Sequence, residues 1–112
     1  MEYRYGNQLM PEEVVALYRA TSLGERRPID DPSIVKSMLE HANLVVTAWD
    51  DGLLVGLSRT LTDFICVGYL ADLAVRESHQ RQGIGIGLIQ KTRERMGPRS
   101  KAAQPDNAAS RY

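Results

Sequence analysis

The chain has 112 residues, of which 43% are hydrophobic and 25% are charged, which is the composition of one soluble globular domain. It contains no apolar run of the roughly 18 residues that a membrane helix needs, and the charges in residues 1–6 are not typical of a secretory signal, so we expect a cytoplasmic protein. The single cysteine, Cys66, excludes an internal disulfide, and its apolar neighbours predict a small core residue. Because the cysteine and histidines do not have the spacing of metal ligands, no metal site is expected.

The charges cancel over the whole chain but are unevenly distributed along it. Residues 1–75 carry six Lys/Arg and eleven Asp/Glu, a balance of −5, whereas residues 76–101 carry seven and two, a balance of +5. The basic part therefore favours an anionic ligand and the acidic part a cationic one. A net charge of zero, with no aromatic residues between the basic ones, argues against a nucleic-acid partner.

The amino-terminal part predicts a short strand and two helices. Alternation over residues 3–5 predicts the strand. Pro11, followed by two acidic residues, predicts the start of a helix that closes near residues 23–24. After a polar loop, the pair Asp31–Pro32 predicts a second helix that runs towards His41.

Three consecutive strands are predicted next, as an antiparallel meander. β-Branched and apolar residues predict a strand over residues 44–49, and Asp-Asp-Gly at residues 50–52 is a hairpin signal. A second strand covers residues 53–61, and a third covers residues 65–75, in which a bend or bulge would be tolerated at Gly68. Alternation predicts the two faces of the second strand as Val55, Leu57, Arg59 and Leu61 on one side, and Leu54, Gly56, Ser58 and Thr60 on the other.

A polar loop, a glycine turn and a helix follow the last of these strands. Gln80, Gly83 and Gly85 give the pattern Gln-x-x-Gly-x-Gly, and the apolar residues after it recur at the spacing of a helix that begins near Gly83. The first turn of a helix has unpaired N–H groups at the positive end of the dipole, so it favours an anion. Glycine at both positions allows the backbone to take a positive φ at little cost and to come close to a diphosphate.

Two other glycine-rich phosphate motifs are excluded by the same residues. A P-loop ends in Gly-Lys-Ser/Thr, which the chain lacks. A dinucleotide fingerprint needs a third glycine where the chain has Leu88, and its turn follows the strand directly, without a polar loop. The remaining alternative is that the glycines only begin a tightly packed helix.

The order of strand, polar loop, glycine turn and helix resembles motif A of the GNAT superfamily of N-acetyltransferases. The motif covers residues 80–85 and follows residues 72–75, which look like the family's central strand; the resemblance extends over roughly residues 3–96. It implies an α/β (α+β) fold with a mixed, mainly antiparallel sheet flanked by helices. It also implies transfer of an acetyl group from acetyl-CoA to an amine by direct attack. The residues that the resemblance places at acetyl-CoA are Leu73, Ala74, Val75, Gln80, Arg81, Gln82, Gly83, Ile84, Gly85 and Ile86.

The resemblance also suggests catalytic and acceptor-binding residues. Asp72 is the base nearest to the implied thioester, and a solvated residue at a strand edge is the equal alternative. Tyr112 is the counterpart of the tyrosine that, in the family, protonates the departing thiolate. Tyr18, Arg26 and Arg27 belong to a helix-loop-helix region that helps to form the acceptor site in the family; the alternative is that they are ordinary surface or half-buried groups.

The pattern changes after Met96. Gly97 and the proline that follows end the helix, so we predict an acetyl-CoA-binding domain over residues 1–98 and a polar tail over residues 99–112. The tail has no apolar run, so the family's carboxy-terminal strands are predicted to be missing or divergent. The strand over residues 65–75 would then have an open edge, which predicts a homodimer or larger assembly in which a second chain or the tail covers it.

The sequence leaves two alternatives to an active transferase. One is a non-catalytic CoA-binding or interaction module related to a truncated acetyltransferase. The other is a structural domain without a ligand, which requires the glycine turn to be accidental. The acceptor is not specified, because acceptor pockets in this fold come from variable loops.

Overall fold

The structure, a computed structural model, describes residues 1–97 and the backbone of residues 101–103. Its elements are β1 (Glu2–Tyr5), α1 (Pro11–Arg19), α2 (Pro32–Glu40), β2 (Leu44–Asp50), β3 (Leu53–Thr62), β4 (Val67–Val75), α3 (Ile84–Met96) and β5 (Lys101–Ala103), with 3₁₀ turns at Ser22–Glu25 and Glu77–His79. The order confirms the one predicted up to residue 96. Within the described ranges, no helix is both long and apolar enough to cross a membrane.

Both predicted helix starts are confirmed by their first residues. Pro11 occupies the first turn of α1, where its missing N–H removes no intrahelical hydrogen bond. The Asp31 side chain accepts a hydrogen bond from the backbone N–H of Ser33 and so caps α2. α1 ends at Arg19, earlier than predicted, because Thr21 caps a separate 3₁₀ turn.

The strands form one sheet in the order β1-β2-β3-β4-β5. Each neighbouring pair from β1 to β4 is antiparallel, and β5 is parallel to β4. The mixed, mainly antiparallel sheet flanked by helices is therefore confirmed.

A β-bulge changes the predicted faces of β3. The register between β2 and β3 shifts at Ala48 and Trp49, and a bulge interrupts the alternation of side chains beside it. Leu54 consequently packs in the same core as Leu57, whereas Val55 packs in the other. The prediction that Val55 shares a face with Leu57 is wrong for this reason.

An apolar core lies on each side of the sheet, one beneath α1 and α2 and one beneath α3. The first contains Val14, Val15, Leu17, Tyr18, Leu23, Ile29, Val35, Leu39, Ala42, Val45, Trp49, Leu54, Leu57 and Ala74. The second contains Leu44, Val46, Ala48, Val55, Leu70, Leu73, Val75, Ile84, Leu88 and Met96. Beneath α3, a hydrogen bond of 2.7 Å between the Ser58 and Thr92 hydroxyls satisfies two buried polar groups.

Cation–π contacts hold the edge strand β1 to the rest of the fold. The Arg4 guanidinium lies 4.5 Å from the centroid of the Trp49 ring, and the indole N–H of that ring donates to Thr47 Oγ1 at 2.8 Å. On the other face of the sheet, the Arg95 guanidinium of α3 lies 3.7 Å from the centroid of the Tyr5 ring.

The turn between β3 and β4 is organised by one carboxylate. Asp63 Oδ1 accepts hydrogen bonds from the backbone N–H groups of Ile65, Cys66 and Val67 at 2.8, 2.9 and 3.1 Å. These bonds lower the pKa of Asp63 below its ordinary value. β4 therefore begins at Val67 and not at Ile65, and Cys66 is exposed in the turn. The prediction of a core cysteine is wrong.

Gly68 pairs regularly with Thr62, so the bend or bulge that a glycine would tolerate is not present at this position. A Cβ at this position would collide with the side chain of Met96 and lie 3.1 Å from the Thr62 Cβ, so the glycine makes room for α3 to pack on β4. The register shift in β4 lies further along, where Arg59 pairs with Asp72 but the next residue pairs with Leu70.

A short fifth strand is present although the sequence has no apolar run for it. Lys101–Ala103 pairs in parallel with Val67–Tyr69. This strand covers the first part of the predicted open edge. Of the two predicted ways of covering that edge, by the tail or by a second chain, the first is therefore confirmed for this part. Within the described residues, β5 does not pair with residues 70–75, and the predicted homodimer remains a prediction.

Candidate functional site

The glycine turn forms the start of α3 as predicted. Gly83 is the N-cap residue with φ 84°, in the left-handed region, and no side chain caps the helix within the described part of the chain. Arg81, two residues earlier, also has a positive φ of 66°. The N–H groups of the first turn have no intrahelical acceptors, so this helix start is suited to an anion.

Only one of the two glycines of the turn takes a positive φ. Gly85 lies inside α3 without a positive φ, and it is buried, as is Ile84. Gly85 does not use the conformational freedom of glycine because the helix begins at Ile84, where regular helical angles already apply. The neighbouring residues Arg81, Gln82 and Ile86 are exposed and border the helix start.

Side chains hold the loop before α3 against the sheet. Gln80 Nε2 donates to the carbonyl oxygen of Val75 at 2.9 Å, which joins the glycine turn to the end of β4. His79 Nε2 lies 2.8 Å from Asp50 Oδ2 at the β2–β3 hairpin, and its Nδ1 lies 2.7 Å from the Ser78 hydroxyl. The structure therefore places the Gln80 side chain as a support of the turn, and its contact with acetyl-CoA remains a prediction.

The end of β4 is tied to the start of α3 by the loop that carries the Gln80–Val75 hydrogen bond. Within the described residues, β5 pairs only with the first three residues of β4, so the backbone from Leu70 to Val75 is unpaired with β5. Leu73 and Val75 pack in the core beneath α3, and Ala74 packs in the opposite core. An open strand edge next to a helix N-terminus offers backbone hydrogen bonds and an anion site to one extended ligand.

Asp72 lies beneath this edge at the centre of a buried polar cluster. Its Oδ2 accepts hydrogen bonds from the Tyr18 hydroxyl at 2.8 Å and from Arg59 Nε at 2.6 Å. Its Oδ1 accepts from Arg27 Nε at 2.9 Å and lies 2.6 Å from Arg27 Nη2. The four side chains come from α1, the loop before α2, β3 and β4, and together they form what we call the Asp72 cluster.

The geometry of the Asp72 cluster favours a structural role for Asp72. A general base must come within hydrogen-bond reach of the proton that it removes. The Asp72 side chain has no exposed surface, and both of its oxygens already bind donors. The solvated strand-edge position that was the alternative for Asp72 is wrong, because the residue is buried.

The three predicted acceptor-binding residues differ in their surroundings. Tyr18 is fully buried, and burial, followed by the charge of Asp72 and the hydrogen bond to it, raises its pKa well above the ordinary value. The side chain of Arg27 is 27% exposed, and its Nη2 also donates to the carbonyl oxygen of Ala71 at 3.2 Å. Arg26 is exposed. Of these three residues, Tyr18 and Arg27 form hydrogen bonds with Asp72, and Arg26 does not.

Arg59 was not predicted as a site residue. Its side chain is 13% exposed and connects β3 to Asp72. A signal existed in the sequence, since an arginine on an otherwise apolar strand face needs a buried acidic partner, and Asp72 is the one acidic residue of the next strand. The predicted catalytic Tyr112 lies outside the described residues.

A wide cavity lies at the opposite edge of the sheet. Its volume is about 620 Å³, and its lining includes Arg4, Glu13, Thr47 and Trp49. None of the predicted site residues lines it. We therefore base the candidate site on the β4 edge and the α3 start, where the backbone geometry suits a ligand.

Comparison with known proteins agrees with this geometry. Residues 12–111 match the model of the acetyltransferase (GNAT) family. No curated protein matches the chain. An acetyltransferase of the GNAT family from Streptococcus pneumoniae TIGR4 is 24% identical, with 97% of this chain and 79% of that chain covered and a TM-score of 0.72.

Two further solved structures show the same fold in aminoglycoside acetyltransferases. One, from an uncultured soil metagenomic sample and in complex with sisomicin, is 21% identical, with 97% of this chain and 79% of that one covered and a TM-score of 0.73. The other, an aminoglycoside 6'-N-acetyltransferase complexed with coenzyme A, is 20% identical, with 86% and 55% covered and a TM-score of 0.72. The family match, which covers most of the chain, establishes that this protein belongs to the acetyltransferase (GNAT) family, whose cosubstrate is acetyl-CoA.

Proposed function

We propose that the protein is an N-acetyltransferase that moves the acetyl group of acetyl-CoA to an amine by direct attack. Two observations carry the proposal: within the described residues β5 leaves the backbone of β4 from Leu70 to Val75 unpaired on that side, and the uncapped start of α3 is tied to the end of β4 through the Gln80–Val75 hydrogen bond. The strand edge suits the amides of the pantetheine arm, and the helix start suits the pyrophosphate. The family match supports the reaction type.

The start of α3 would hold the pyrophosphate. The N–H groups around Gly83 and Gly85 supply donors, and the missing Cβ at Gly83 leaves the approach open, since nothing lies within 4 Å of that position. Arg81 adds positive charge beside the turn. Gln82, Ile84 and the exposed Ile86 complete the contact, with Gln80 supporting the loop.

The backbone of Leu73, Ala74 and Val75 would bind the pantetheine arm. Attack by an amine places negative charge on the thioester oxygen, and a strand N–H pointing at that oxygen stabilises it. We assign Asp72 to holding this part of β4 in place, through Arg27 and Arg59. The departing thiolate needs a proton, and Tyr112 is our candidate for that acid.

The acceptor amine would approach on the α1 and α2 side of the sheet. Arg26 and Arg27 belong to the loop before α2, and Tyr18 supports that loop from below through the Asp72 cluster. We also propose that the protein acts in the cytoplasm as a homodimer whose contact leaves the backbone of Leu73–Val75 free for acetyl-CoA. Light scattering at several concentrations tests the dimer.

Two measurements test the proposed reaction. Calorimetry with acetyl-CoA should detect binding, and an assay for free CoA thiol over a panel of amines should detect turnover with at least one of them. Binding without thiol release from any amine would favour the non-catalytic CoA-binding module. Absence of binding by folded protein would overturn the proposal as a whole.

A further inference from the structure

The Asp72 cluster has an uncompensated positive charge. Arg27 and Arg59 carry two positive charges against the one negative charge of Asp72. Tyr18 does not balance the difference, because burial and the neighbouring carboxylate raise its pKa and keep it neutral. Within the described residues, the titratable side chains that interact with Arg59 are Asp72, which is charged, and Tyr18, which is neutral. A mostly buried cluster with a surplus cation is suited to an anionic ligand.

Arg59 has unused hydrogen-bond donors in this cluster. A guanidinium carries five N–H groups, and Arg59 uses Nε for Asp72 and interacts with the Tyr18 oxygen. These are the acceptors that it has within the described part of the chain, and they are too few for its two terminal amino groups. Those groups present the planar fork that binds a carboxylate through two parallel hydrogen bonds.

An apolar surface continues from Arg59 along the same face of the sheet. Leu61 lies two residues further along β3 and therefore faces the same side. Its cross-strand partner is Tyr69 of β4. The two residues are 43% and 48% exposed although both have large apolar side chains. A cation and an apolar surface thus adjoin, and Asp72, the cross-strand partner of Arg59, directly precedes the proposed thioester-binding backbone at Leu73.

We propose that the acceptor is an amine that also carries a carboxylate. The carboxylate binds Arg59, and the apolar part of the acceptor lies on Leu61 and Tyr69. This assignment rests on the proposed acetyl transfer, and it narrows the acceptor to amino acids and related zwitterions with an apolar side chain. An acidic side chain of the protein itself could bind Arg59 in place of the acceptor carboxylate. In the sequence after Glu94, Asp106 is the only acidic residue, so it is the one to test.

Wild-type protein tests the proposal without any substitution. Phenylalanine, phenylalaninamide and phenethylamine share an aromatic ring and an amine, but only the first has a carboxylate. We expect kcat/KM from thiol release to be higher for phenylalanine by about tenfold or more. Equal or lower values for phenylalanine would overturn the proposal.

Binding of a carboxylate that has no amine separates this site from the reaction. Calorimetry should detect 3-phenylpropionate and should find 3-phenylpropanamide weaker by about tenfold. If acetyl-CoA binds but no amine is acetylated, the proposed function fails, and this measurement still decides whether the anion site exists. Equal affinities for 3-phenylpropionate and 3-phenylpropanamide would overturn the proposed carboxylate site at Arg59.

Four substitutions identify the groups involved. Arg59→Gln should abolish the preference for 3-phenylpropionate over its amide, while Arg59→Lys should retain part of it. Arg19→Gln, at an exposed arginine on the same side of the sheet, is the matched control and should change nothing. If Asp106→Asn tightened 3-phenylpropionate binding about tenfold, the chain itself would occupy the site, and the proposal of an acceptor carboxylate would be wrong.

Discussion

Arg59 Nε and Asp72 Oδ2 lie 2.6 Å apart, on residues that face each other across β3 and β4. The Asp72 side chain is fully buried, so this ion pair has no solvent to replace a lost partner. The pair is next to the register shift in β4. It therefore fixes the backbone at the point where the strand leaves regular pairing, immediately before the proposed thioester-binding residues.

Removal of the Asp72 charge should destabilise the fold. In Asp72→Asn, two arginines lose their carboxylate, and we expect a loss of about 3–5 kcal/mol in the free energy of unfolding. Urea unfolding followed by circular dichroism measures it, with Asp30→Asn, at a fully exposed aspartate, as control. A catalytic base would give the opposite pattern, in which stability is unchanged and kcat collapses.

Tyr18→Phe should lower stability at neutral pH and change its dependence on alkaline pH. The variant loses a hydrogen bond to a charged acceptor, a cost of about 1.5–3 kcal/mol. In the wild type the pKa of Tyr18 is raised by folding, so its contribution is complete below about pH 10 and is lost as pH rises through the folded pKa. The difference in the free energy of unfolding between the wild type and Tyr18→Phe should therefore shrink above about pH 10. A constant difference across that range would contradict this account.

Gly83 and Gly52 form a matched pair for testing the pyrophosphate site. They have φ angles of 84° and 83°, and a Cβ at either would meet nothing within 4 Å. Substitution by alanine should therefore introduce the same backbone strain at each position and lower the free energy of unfolding by about 1–2 kcal/mol. Only Gly83→Ala should weaken acetyl-CoA binding in calorimetry. Similar affinities for both variants would remove the turn from the site.

The charge of Arg81 should matter more at low ionic strength. Arg81→Glu reverses a charge next to the α3 start, and we expect about fivefold or more weaker acetyl-CoA binding at about 0.01 M salt, with a smaller loss at about 0.15 M. Arg93→Glu, at an exposed residue near the other end of α3, should have little effect. Equal losses would mean that only the general field of the basic segment acts.

The carboxylate of Asp63 should make the β3–β4 turn sensitive to acid. Its pKa is lowered by folding, so the stability that it provides is present above its ordinary pKa of about 4 and is lost as pH falls through the lower folded value. Asp63→Ala should destabilise the protein at pH 7 and remove this part of the acid dependence. Asp63→Asn keeps an acceptor oxygen without the titration, so it should retain more stability than alanine at pH 7. Hydrogen exchange of the Ile65, Cys66 and Val67 amides would locate the effect.

Local signals in the sequence were sufficient for the element order and for the start of the site. Proline and acidic residues at Pro11, the Asp31 cap and the glycine at Gly83 act on their immediate neighbours, so each is readable from a few letters. The same reasoning failed where one side chain reorganises several backbone groups. Asp63 shortened β4 and exposed Cys66 in this way.

Long-range contacts were beyond the sequence pattern. Tyr18 and Asp72 are 54 positions apart, and nothing in their separate neighbourhoods indicates that they meet. The bulge at Ala48 and Trp49 depends on two strands at once, so alternation within β3 could not reveal it. β5 forms without a run of large apolar residues because pairing with β4 uses backbone groups, and every residue type except proline provides both a backbone donor and an acceptor.

The single tryptophan gives the protein a built-in optical probe. Trp49 is buried beneath the Arg4 guanidinium in the core under α1 and α2, so its fluorescence should change when that core opens. It lies in β2, with β3 between it and β4, about 10 Å of sheet away from the proposed acetyl-CoA edge. Binding of acetyl-CoA should leave the emission of Trp49 nearly unchanged, whereas unfolding should change it. Stabilisation by acetyl-CoA can therefore be followed as a shift of one fluorescence transition, without an added dye or an engineered label.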